Sequence, residues 1–80
     1  MISKEFKSVI LKELNLDDFE INDETTADQV PGWDSLNHLN VILAIEEAFN
    51  VHLSSYDILK CNNIGDLYNL VQNKLEMKAQ

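Results

Sequence analysis

Eighty residues make one small domain, near the size at which a single core holds without disulfides or metals. The one cysteine, Cys61, excludes an internal disulfide, and a net charge of −8 makes nucleic acid a poor partner. All six basic residues are lysines near the ends (Lys4, Lys7, Lys12, Lys60, Lys74 and Lys78), and between Glu13 and Lys60 lie ten acids and no lysine or arginine. Such a field steers towards basic protein surfaces.

With 45% hydrophobic residues, two glycines and one proline, the composition is that of a compact helical protein. "MISKEFKSVILKELN" has no signal-peptide core, and the longest apolar run, Val41 to Ile45, is too short to cross a bilayer. We therefore expect a cytoplasmic protein without membrane insertion, organised as a single domain over residues 1–80.

In chain order, Ser3 is placed to cap a first helix whose Phe6, Val9, Ile10 and Leu14 follow helical spacing, with Asn15 as its end. The long segment "LDDFEINDETTADQVPGWD" has no steady period. Leu16, Phe19, Ile21 and Val30 are its candidate anchors, and Pro31-Gly32 is a turn signal. A second helix is predicted from Ser35 to Phe49, capped by Asp34 and stopped by Asn50. A short helical turn follows around Tyr56 to Lys60, capped by Ser54 or Ser55. A last helix begins after Asn63 and carries Ile64, Leu67, Tyr68, Val71 and Leu75. The predicted fold is all-α: a small four-helix bundle of three main helices and one short one, with a long loop between the first two.

The second helix has two apolar rows. Val41, Ala44, Ile45, Ala48 and Phe49 share one face, with Ile42 at its edge, and form the expected core stripe. Leu36, Leu39 and Leu43 lie on roughly the opposite side, in line with Asn40, Glu46 and Glu47. A bundle this small is not expected to bury both rows, so the second reads as a docking surface, the alternative being that a neighbouring helix or the long loop covers it. Ser35 stands at its head, on a helix N-terminus whose free N–H groups favour an attached anion.

Other chemistry is sparse. His38 and His52 have no partners at metal-ligand or triad spacing and read as surface or edge positions; no metal site is expected. Cys61 has no CxxC context and reads as a small buried hydrophobe. "DDFEINDETTAD" lacks the glycine and alternating oxygen ligands of an EF-hand loop. With no phosphate loop, nucleophile elbow or dinucleotide fingerprint, the chain is expected not to be an enzyme.

"GWDSLNHLNVILAIEEAF", followed by a short helix and "NNIGDLYNLV", resembles the acyl carrier proteins over nearly the whole chain. That resemblance implies a carrier with a four-helix bundle. A phosphopantetheinyl transferase, using coenzyme A and Mg²⁺, would attach 4'-phosphopantetheine to Ser35. The thiol of that arm would hold acyl groups as thioesters, presented to acyl-loading and acyl-transferring enzymes with basic patches. Asp34 matches the family's acidic residue before the serine. Leu36, Leu39, Leu43, Glu46 and Glu47 fall on its partner-contacting helix.

Many fatty-acid carriers have acidic residues where this chain has Asn37 and Asn40, which points to a dedicated lipid, polysaccharide-linked or natural-product pathway. Trp33 replaces a small residue, and Cys61 a larger apolar one lining the acyl cavity. A monomer is expected. Two alternatives remain at this level: a free-standing aminoacyl or peptidyl carrier, and an unmodified acidic helical adaptor binding through its leucine row.

Overall fold

A computed structural model describes residues 2–78, which form four α-helices and one 3₁₀ turn with no strand. Helix α1 spans Lys4–Glu13, with the Ser3 hydroxyl accepting from the Phe6 N–H at 3.2 Å. It ends in a Schellman arrangement. Asn15 takes φ 56°, its N–H reaches the Lys12 carbonyl, and the Leu16 N–H reaches the Leu11 carbonyl at 2.8 Å. Helix α2 spans Ser35–Phe49 and stops in the same way at Asn50, φ 53°. Helix α3, Ser55–Leu59, begins one residue before the predicted turn and is capped by Ser54. Helix α4 spans Ile64–Lys78, with Asn63 Oδ1 accepting from the Asp66 N–H at 2.8 Å.

The segment joining α1 to α2 packs as part of the fold. Ile21 and Val30 are buried, Leu16 and Phe19 half-buried, and the 3₁₀ turn Ala27–Gln29 lies between the buried anchors. Its backbone caps the last helix: the carbonyls of Thr25 and Asp23 accept from the Ile64 and Gly65 N–H groups at 2.8 and 3.0 Å. Thr25 is buried with its hydroxyl donating to Asn22 Oδ1. These buried polar atoms of a largely non-repetitive segment are thereby satisfied.

Phe6, Ile10, Ile21, Val41, Ile45, Ile64 and Val71 form the centre of the core. The Phe6 ring packs against Phe49 at 6.0 Å and edge-on to Tyr68 at 5.2 Å. The buried stripe of α2 is rotated from the expected one. Ile42 is buried, Ala44 and Phe49 are half-buried, and Ala48 is exposed. Ala44 and Ala48 are too short to close the space to α1 and leave an open groove shared with Val9, Lys12 and Glu47. Ile42 instead faces Leu53, Ile58 and the α3 side of the bundle.

Candidate functional site

The site is built where the loop turns into α2. Gly32 takes φ +84°, a conformation costly for any residue with a side chain. From there the Trp33 N–H donates back to the Val30 carbonyl, and the Asp34 N–H to that of Gly32, both at 3.1 Å. Asp34 adopts an extended backbone and caps the helix: its Oδ1 accepts from the Asn37 N–H and its carbonyl from the His38 N–H, both at 2.8 Å. Ser35 is the first helical residue. It is exposed, and its hydroxyl makes no hydrogen bond to any described residue.

Two further contacts tie this loop to the first turn of α2. The indole of Trp33 is only 8% exposed, and its Nε1–H donates to Nδ1 of His38 at 3.0 Å. The Asn37 amide donates through Nδ2 to the Gly32 carbonyl at 2.8 Å, while its Oδ1 accepts from Asn40 Nδ2 at 3.4 Å. Neither contact follows from helical periodicity, because each joins a loop group to a side chain five residues on.

The remaining candidate residues divide. Leu36, Leu39 and Leu43 are 84%, 62% and 48% exposed, an uncovered apolar row leading away from Ser35, with Asn40 and Glu47 exposed beside it. Glu46 turns elsewhere. Its side chain is 17% exposed, its Oε2 accepts from the Leu53 N–H at 2.7 Å, and His52 lies 3.3 Å away. That carboxylate holds the α2–α3 connection. Helix α3 adds exposed Tyr56 and Leu59 beyond the predicted row, with Lys60 Nζ 4.2 Å from the Tyr56 ring centroid. A groove of about 390 Å³ runs between these helices, lined by Leu39, Ile42, Leu53, Ile58 and Leu59. Behind it, Trp33, His38, Ile42, Cys61, Ile64 and Leu67 line a smaller cavity of about 90 Å³. Cys61 is half-buried, its thiol directed to the Asp57 carbonyl at 3.6 Å. Among the described residues no group of three or more His, Cys, Asp or Glu side chains could hold a metal ion.

The family model described as "Phosphopantetheine attachment site" matches residues 4–71. Acyl carrier protein from Helicobacter pylori is 32% identical over 73 residues, covering 90% of this chain and 94% of the relative. That from Clostridium acetobutylicum is 29% identical over 76 residues, covering 95% and 99%. The chain belongs to the acyl carrier protein family.

The solution structure of the holo acyl carrier protein from Geobacter metallireducens superposes with a TM-score of 0.84 at 28% identity, covering 96% of this carrier and 92% of that chain. Acyl carrier proteins transport rather than catalyse, working with phosphopantetheinyl transferase and acyl-handling enzymes, and their cofactor is a covalently attached phosphopantetheine. The loop-to-helix junction of this carrier suits such a group. It offers an exposed, unpartnered hydroxyl on the first turn of a 15-residue helix, where unpaired N–H groups favour a phosphodiester. Among the described residues no helix is long and apolar enough to cross a membrane.

Proposed function

We propose that this carrier, acting as one domain over residues 1–80, holds acyl groups as thioesters on a 4'-phosphopantetheine arm attached to Ser35. It catalyses nothing itself and delivers them as a cytoplasmic monomer to the enzymes of a dedicated pathway. The observation that carries the reading is the unpartnered Ser35 hydroxyl at the head of an uncovered leucine row. The arm supplies the thiol. The protein supplies a fixed attachment point, a docking face of Leu36, Leu39, Leu43, Asn40 and Glu47 beside Asp34, and an acidic field that attracts partners with basic patches. Glu46 contributes to that face indirectly, by fixing the segment after α2.

Tethering makes delivery intramolecular, at an effective concentration of order millimolar when the reach of the arm matches the site. A face of three leucines with few free charges suits partners that bind and release quickly. Neutral Asn37 and Asn40 on the α2 face favour a dedicated pathway over bulk fatty-acid synthesis.

The carrier reading is tested with a broad-specificity transferase, Mg²⁺ and a short acyl-coenzyme A. The wild type should gain an acylated arm whose acyl part is released by neutral hydroxylamine. An added mass that resists hydroxylamine would contradict a thioester carrier. The pathway reading is tested in a strain lacking its housekeeping carrier: growth restored at normal expression would sink it.

A further inference from the structure

Asn37 stands where many fatty-acid carriers have an acid, and its amide does something no ionised carboxylate can. Nδ2 donates to the Gly32 carbonyl at 2.8 Å. That oxygen already accepts from the Asp34 N–H at 3.1 Å, so both of its lone pairs are used. The amide is oriented from its other end, because Oδ1 faces the Nδ2 of Asn40 at 3.4 Å. Its own N–H meanwhile donates to Asp34 Oδ1 at 2.8 Å. One residue two places after Ser35 thus ties down two positions before it: Gly32 in the loop, and Asp34, the cap of the helix. The bond from Trp33 Nε1–H to His38 Nδ1 runs parallel, across the same junction.

The geometry points to Asn37 as the positioning residue for modification of Ser35. This rests on the carrier reading above. In that reaction Ser35 Oγ forms a bond to the pantetheine-bearing phosphorus of coenzyme A, and the P–O bond of the pyrophosphate breaks. Adenosine 3',5'-bisphosphate leaves, and the hydroxyl proton passes to a base of the transferase. The carrier's contribution is where Oγ lies when the phosphorus arrives, and small displacements of an attacking atom are costly in rate. With a carboxylate at position 37, an oxygen would face the Gly32 carbonyl oxygen. The brace would become a repulsion, and Gly32 would lose its tie to the first turn of α2, leaving the junction to Asp34 and the Trp33–His38 pair alone. Neutral Asn37 therefore exchanges negative charge on the docking face for a fixed serine.

Charge and bracing predict opposite signs, which makes Asn37→Asp decisive. Initial rates of modification by a broad-specificity transferase, with coenzyme A and Mg²⁺, are measured for the wild type, Asn37→Asp and Asn37→Ala at low and physiological salt. Melting curves check that each variant is folded. Both variants should lose about tenfold in kcat, the scale of one lost hydrogen bond, with KM for the carrier little changed. A rise in kcat/KM for Asn37→Asp that salt suppresses would overturn the inference in favour of charge steering. So would wild-type kcat in Asn37→Ala. If the wild type itself gains no mass, the carrier reading falls and takes this inference with it, whereas modification at equal rates in all three proteins removes the inference alone.

Discussion

Cys61 shows how a single reactive side chain can be held inert by its surroundings. Burial pushes its thiol above the ordinary value, and Asp66 and Asp57 push it further by repelling the thiolate. A native thiol that holds its proton more tightly than the unfolded one stabilises the fold below the unfolded pKa. That contribution is lost as pH rises through the higher native value. The same effect suppresses nucleophilic chemistry at Cys61, since only the thiolate is nucleophilic. Near pH 8 the folded protein should react with iodoacetamide several-fold more slowly than the same chain in denaturant, which is readable by mass. Equal rates would show a thiol of ordinary acidity. Part of this was open to sequence reading, which marks Cys61 as lacking a redox partner. The burial that chiefly raises it, and the two acids of α3 and α4 that add to this, are set by the packing of the folded chain.

At the scale of elements, the joint between the long loop and α4 is fixed by contacts distant in sequence. A Cβ on Gly65 would stand 2.7 Å from the Asp23 carbonyl oxygen, which already accepts the Gly65 N–H at 3.0 Å. Replacing glycine by alanine in a helix ordinarily gains about 1 kcal/mol. Here the intruding methyl meets backbone with no rotamer to yield, and overpacking of that kind costs about 1–3 kcal/mol. Gly65→Ala should therefore lower the melting temperature by several degrees, and an unchanged or higher value would show that the loop gives way freely. Nothing near Gly65 in the sequence signals this, because its partner lies 42 residues earlier, as the numbering shows. Helix α2, by contrast, was legible end to end. Asp34 and Asn50 act on their own neighbours, so its limits are written locally. What periodicity missed on α2 depends on tertiary partners: the rotation towards Ile42, the exposure of Ala48, and the capture of Glu46 by the Leu53 N–H.

For the whole molecule, the arrangement separates two tasks between the faces of one helix. Val41, Ile42 and Ile45 are spent on the core, and Leu36, Leu39 and Leu43 remain uncovered. Ser35 stands at the end where the loop enters, held by Asp34, Asn37 and the Trp33–His38 pair. The bundle thereby fixes one hydroxyl and one apolar row in a constant relation, which a mobile arm and a succession of partners require. The measurement that tests this most directly is the intact mass of the wild type and of Ser35→Ala, before and after incubation with coenzyme A, Mg²⁺ and a broad-specificity phosphopantetheinyl transferase. The wild type should gain one phosphopantetheine and the folded variant none. A variant that gains the same mass, or a wild type that gains nothing from several transferases, would contradict attachment at Ser35.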